Sequence, residues 1–230
     1  KATIIIKSFE PKKTDEEIAQ LSMTNPEQLD LKELLFSATL TNNEKSKMDI
    51  YNKVVELHND WRGFNNIACI YLEKNELEKA LDYLNKAENI KSGDALDILT
   101  NKGIIYSRKG DLSSAQNLFN QSNTTEKNQA ILDIRQAEYA KAARFFKNKQ
   151  THNATLAKLL NGENNARCNE QTAECYYLNA IANTRSNNYD AAISNLEKAI
   201  SLKDSYKSES LKDLEFINIR TNEKFIKLTN

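Results

Sequence analysis

Five times along the chain a polar turn is followed, five residues on, by alanine or a close stand-in. No other feature limits the fold as much. The clearest copies read Asn75-Glu76-Leu77-Glu78-Lys79-Ala80 and Gly110-Asp111-Leu112-Ser113-Ser114-Ala115. Ala137-Glu138-Tyr139-Ala140-Lys141-Ala142 and Asn187-Asn188-Tyr189-Asp190-Ala191-Ala192 keep the same order, and in Gly162-Glu163-Asn164-Asn165-Ala166 the Ala arrives one residue early. From turn to turn the steps are about 35, 27, 25 and 25 residues, within or just under the range of helix-turn-helix repeats.

Two helices packed side by side explain the pattern. The first must stop, and Gly110, Gly162 or Asn75 stops it in a left-handed conformation that branched residues resist. The acid that follows is expected in the first turn of the second helix, where free N–H groups and the helix dipole favour negative charge. Alanine then lets the axes approach to roughly 8–10 Å. Leu77, Leu112, Tyr139 and Tyr189, three residues before each Ala, fill the seam one turn away.

Composition agrees with an all-α chain. Of 230 residues 40% are hydrophobic, with only five Gly and two Pro, and helix formers dominate. The charge balances at 32 basic against 32 acidic residues, so the electropositive footprint of a nucleic-acid binder is missing. No apolar run reaches the roughly 18–20 residues a bilayer span needs. Three cysteines leave at least one thiol outside any intrachain pair. Cys69 reads as a small buried hydrophobe. On one continuous helix Cys168 and Cys175 would stand roughly 10 Å apart, too far for a bridge.

Along the chain, residues 1–12 are expected as an extended segment with a β-branched run, Ala2 to Lys7, read either as the remnant of an upstream domain or as a tail with no partner strand. Residues 13–60 form an N-terminal helical cap or degenerate repeat: Thr14 and Glu17 make a capping box, and Asn25-Pro26 is expected to start a second helix. Leu31, Leu34, Leu35 and Ala38, then Ile50, Val54 and Leu57, recur at helical spacing. Regular repeats occupy 61–202. Capping helices fill 203–230, with Leu211, Leu214 and Ile217, then Phe225, Ile226 and Leu228, expected to close the last hairpin; a partner-binding amphipathic helix is the alternative. The third and fourth copies have short first helices.

Ala68, Tyr71, Ala80 and Leu84 in one copy, and Gly103, Tyr106, Ala115 and Phe119 in the next, resemble the tetratricopeptide repeat (TPR): a small residue, Tyr three later, Ala nine after that, and a large apolar residue four further on. The usual closing proline is absent. The resemblance implies an α-α superhelix of antiparallel helix pairs whose concave face binds proteins or peptides. Asn25-Pro26, Glu33 to Leu40, Asp60-Trp61-Arg62, Asn153 to Ala157 and Asp213 to Phe216 look like the TPR domains of bacterial cell-envelope proteins that follow an OmpA-like or other β-rich domain. This implies a periplasmic or outer-membrane-associated location, with the cytoplasm as the alternative.

Catalytic patterns are missing from the sequence. The two histidines, His58 and His152, sit in no metal-ligating spacing, and there is no phosphate-cradling glycine loop, nucleophile elbow or CxxC pair. The reading is a non-enzyme with no cofactor and no metal. Nine residues before each turn stand Asn66, Asn101, Asn128 and Asn153, with Leu178 in the fifth copy. In TPR arrays this column faces the groove, and such a row resembles the asparagine ladders that hold an extended peptide. A carboxamide both donates and accepts, so it pairs with a ligand's backbone without reading its side chains. Asn is also abundant in this chain, so a solvated column is the alternative. Arg108 and Arg135, at matching positions near helix ends, either grip a carboxylate or cap those ends. The leading expectation is a peptide-binding scaffold. Its rival is a spacer or self-assembling homo-oligomer with no peptide ligand.

Overall fold

The computed structural model describes residues 13–91, 96–122 and 124–229. Every regular element among them is helical. The strand expected at 2–7 lies outside these residues. The chain divides into two compact units, Lys1–Thr124 and Thr125–Asn230.

The first unit contains α1 (Asp15–Thr24), α2 (Leu31–Ser37), α3 (Glu44–His58), α4 (Trp61–Glu73), α5 (Leu77–Ile90), α6 (Leu96–Lys109) and α7 (Leu112–Gln121). Thr14 and Glu17 form the expected capping box. Asn25-Pro26 does not start a long helix. It leads into a single 3-10 turn, Pro26–Gln28, and the Asn25 side chain makes no cap bond. The backbone N–H of Asn25 is already given to Leu21. The stronger start lies at Asp30, whose Oδ1 accepts the N–H groups of Lys32 and Glu33 at 2.8 Å each. Ile18, Leu29, Leu34, Ile50 and Val54 close this end in one apolar cluster.

Helices α4 to α7 are the regular hairpins. Ala68, Leu72, Ala80, Leu84, Ala87, Ile98 and Ile105 form a buried seam across α4, α5 and α6, and Ala115 and Phe119 of α7 are buried as well. The small-and-large pairing within the seam is complementary. Ala68 accompanies Leu84 in one hairpin, and Gly103 accompanies Phe119 in the next. A Cβ on Gly103 would stand 2.5 Å from the Phe119 ring, so the larger side chain requires the smaller partner.

All five turns begin with a left-handed residue: Asn75 (φ 59°), Gly110 (88°), Ala137 (63°), Gly162 (90°) and Asn187 (57°). Each also carries the same pair of backbone bonds, such as Glu76 N–H to Tyr71 C=O and Asn75 N–H to Leu72 C=O. This is the Schellman closure, which satisfies carbonyls a helix end otherwise leaves open. The following acid sits at the N-cap rather than inside the first turn. Asp111 accepts the Ser114 N–H at 3.0 Å, and hydrogen bonding from the Ser114 side chain and then its N–H holds the Asp111 carboxyl below the usual range.

The second unit contains α8 (Glu126–Arg135), α9 (Tyr139–Phe145), α10 (His152–Leu160), α11 (Ala173–Arg185), α12 (Tyr189–Leu202), α13 (Ser205–Lys212) and α14 (Glu223–Thr229). The fourth turn, at Gly162, is followed by no helix. Residues 161–172 run irregularly, since Asn164, Asn165 and Asn169 are poor helix formers and only Ala166 and Cys168 are apolar. Cys168 therefore precedes α11 while Cys175 lies in its first turn. With Thr172 capping the helix between them, their Cα atoms are 5.4 Å apart and a disulfide joins them. The spacing argument against a bridge held only for a continuous helix.

Tyr177, Tyr206, Phe216, Ile219 and Phe225 close the C-terminal end. The Tyr177 and Tyr206 rings stack at 4.3 Å. Leu211, Leu214 and Ile217 do not do so, being 44%, 74% and 57% exposed. Helix α13 ends at Lys212, and a 3-10 segment, Leu214–Ile219, resets the period, turning Phe216 and Ile219 inward instead.

Candidate functional site

The register of the first helices follows from the Schellman turns that end them. In α4 and α6 it brings Asn65, Asn66, Cys69 and Asn101 together. The Asn101 Nδ2 donates to Asn65 Oδ1 at 2.9 Å and to Cys69 Sγ at 3.5 Å. The Asn65 Nδ2 in turn approaches Asn66 Oδ1 at 3.4 Å. Asn65 is buried while Asn66 and Asn101 are half-buried. This patch has spare hydrogen-bonding capacity on two amides facing partial solvent. Cys69 is a free thiol that is half-buried rather than the fully buried hydrophobe expected; desolvation pushes its thiol up, with the Glu73 carboxylate adding to the effect.

In the second unit Asn128 occupies the first turn of α8, where Thr125 caps its backbone N–H. Asn153 occupies the first turn of α10, next to the Ala154 that Thr151 caps. Both side chains are half-buried. The column thus contains two kinds of residue: Asn101 is tied into the protein, whereas Asn128 and Asn153 sit at helix starts.

Arg108 Nη1 donates to the Leu72 carbonyl at 2.5 Å, joining the end of α6 to the end of α4. Arg135 is exposed in the last turn of α8. The sequence carries a third arginine in this column, beyond the two expected. Arg185 stands two residues before its turn, as Arg108 and Arg135 do, and its Nη1 donates to the Leu159 carbonyl of α10 at 2.6 Å. Its remaining donors grip Glu215, with Nε at 2.8 Å from Oε2. Hydrogen bonding to Arg185 holds the Glu215 carboxyl below its usual range. Leu72 and Leu159 both lie three residues before a turn, so one guanidinium geometry links consecutive first helices in each unit.

Side chains hold the irregular segment 161–172 in place. Asn179 accepts the Cys168 N–H and donates to the Cys168 carbonyl, each at 2.9 Å. Asn183 Oδ1 accepts from Arg167 at 3.2 Å, and Ser186 donates to the Asn164 carbonyl at 3.2 Å. Cys168, Glu170 and Cys175 converge as a metal site would. Their sulfurs, however, are bonded to each other, and Glu170 Oε2 accepts the His152 N–H at 2.7 Å. That donor set is already used.

The tetratricopeptide repeat family matches two stretches, residues 62–94 and 173–206, which are the α4–α5 and α11–α12 hairpins. Among solved structures the chain is similar to a tetratricopeptide repeat protein from Parabacteroides merdae. The TM-score is 0.60 at 19% identity, over 94% of this chain and 90% of that one. No curated protein sequence matches the chain. Those two hairpins are therefore tetratricopeptide repeats, a kind of repeat that generally mediates protein–protein interaction, and the fold is that of a tetratricopeptide repeat protein.

Proposed function

We propose that this chain, built of tetratricopeptide hairpins, is a non-catalytic scaffold binding an extended peptide or partner segment along the first helices, in the bacterial cell envelope. The observation that carries the reading is the amide patch on α4 and α6. Asn66 and Asn101 are half-exposed carboxamides, with Asn128 and Asn153 at the same step of their own hairpins. Such groups pair with peptide backbone without demanding a particular side chain. Arg108 and Arg135 stand beside that column, and Arg108 has donors beyond its bond to Leu72. For the compartment, the Cys168–Cys175 disulfide favours an oxidising site such as the periplasm over the cytoplasm.

Peptides selected by display on the folded chain supply the probe. Replacing Asn66 and Asn128 by Ala is expected to weaken their capture about tenfold, near one lost hydrogen bond to each site, with the melting temperature unchanged. Asn101→Ala is a poorer test, because it also strands the Asn65 amide. Unchanged affinity in the double variant would remove the amide column from the reading. The rival role, a spacer or self-assembling element, draws on the exposed Leu211, Leu214 and Ile217 strip. A stable dimer in sedimentation, lost on Leu214→Glu, would favour it.

A further inference from the structure

In an array of hairpins the second helix of one unit lies beside the second helix of the next. On the side of the following hairpin helix α9 has no such neighbour, because residues 161–172 form no helix. Instead they carry Ala166 into the cluster with Leu159 and Tyr177, leaving the flank of α9 open. Between α9 and the end of α10 remains a cavity of about 320 Å³, to which Ala140 and Ala143 contribute small apolar surface. Arg144, Lys147 and Lys158 line it against the single carboxylate of Glu163. Neither Arg144 nor Lys147 has an ion-pair partner among the described residues. Lys158 Nζ donates to the carbonyls of Lys147 and Lys149 at 3.0 Å, which fixes its position without pairing it to a carboxylate.

We propose that this cleft docks an acidic helical segment of a partner protein, seated beside α9 where a regular hairpin would supply its own second helix. Small residues on α9 allow a helix axis to come close. The three cations select negative charge on the incoming segment and penalise positive charge. The site is separate from the amide column and stands or falls independently of it.

The probe is a fluorescein-labelled helical 16-residue peptide with Ala and Leu on one face and Glu on the other, compared with its Lys-for-Glu counterpart. Anisotropy should show the Glu peptide binding and the Lys peptide not. Affinity should fall about tenfold or more between 50 and 300 mM salt. Amide resonances of residues 140–147 should move. Arg144→Glu with Lys147→Glu should weaken the Glu peptide at least about tenfold and admit the Lys peptide. Ala140→Trp, which fills the cleft from an exposed position, should weaken binding without charge reversal, and Asn66→Ala should leave it unchanged. Failure of the Glu peptide to bind, binding that survives both variants, or shifts that map elsewhere would each overturn the proposal. So would self-association of the unliganded chain that the charge reversal abolishes, since a second copy would then be the occupant.

Discussion

The α4–α5 hairpin and the α10 hairpin begin alike and end differently. Both first helices stop in a Schellman turn with a left-handed residue, Asn75 in one and Gly162 in the other. After Asn75, Leu77, Ala80, Leu84 and Ala87 recur at helical spacing, and a helix forms that satisfies its own backbone. After Gly162 that spacing is lost. The backbone of Cys168 must find partners elsewhere, and Asn179 supplies both. The regular hairpin is held by apolar burial. The irregular one buries Leu159 and Ala166 but holds its loop with amides, guanidinium groups and a disulfide. A turn can thus be conserved in form within one chain while the element behind it is exchanged for another kind of support.

The contrast is sharpest where each support is removed. Leu84→Ala deletes a fully buried side chain from the α4–α6 seam and should cost about 3 kcal/mol. Denaturant unfolding followed by Trp61, the one tryptophan of the chain, reads this directly. An effect below about 1 kcal/mol would mean the regular hairpins do not depend on their seam.

Asn179→Ala leaves the Cys168 N–H and C=O without their partner and should destabilise the second unit by about 2 kcal/mol. Faster hydrogen exchange at Cys168, with the Trp61 transition unmoved, is the expected signature. Equal protection in the variant would show that the disulfide alone holds the segment. Ala137→Gly should stabilise by about 1 kcal/mol, because alanine is strained in the left-handed region and glycine is not. A lower melting temperature would instead mean that glycine's chain entropy outweighs the relief.

The smallest effect is electrostatic. Because Arg185 lowers the Glu215 pKa on folding, the pair stabilises the second unit above the ordinary carboxylate pKa. That contribution is lost as pH falls through the lowered folded value, in the window below about pH 4.3. Glu215 remains partly solvated, so solvent screening keeps the contribution under about 1 kcal/mol. Glu215→Gln should flatten this limb of the stability profile against pH. An unchanged limb would assign it to other carboxylates.

Much of the fold was legible because it is local. The five turns, the capping box at Thr14 and the Ala seam each follow from short-range sterics and hydrogen bonding. So does the arginine column, of which Arg185 was present in the sequence at the same offset as Arg108. The candidate site was legible only as a list of positions. Asn101 reaching Asn65 is a contact between residues 36 apart in sequence, and no spacing within one helix reports it.

By itself the sequence determined that helices pair, where each first helix ends, and which residues share a column. These depend on backbone conformation within a few residues. Tertiary structure alone decided that the fourth turn leads into a disulfide-held segment, that Leu211, Leu214 and Ile217 face outward, and that a basic cleft opens beside α9. Local composition breaks the helix after Gly162, but which side chains turn inward and which partners satisfy the freed backbone depend on residues packed against them, where burial and hydrogen-bond satisfaction override local periodicity.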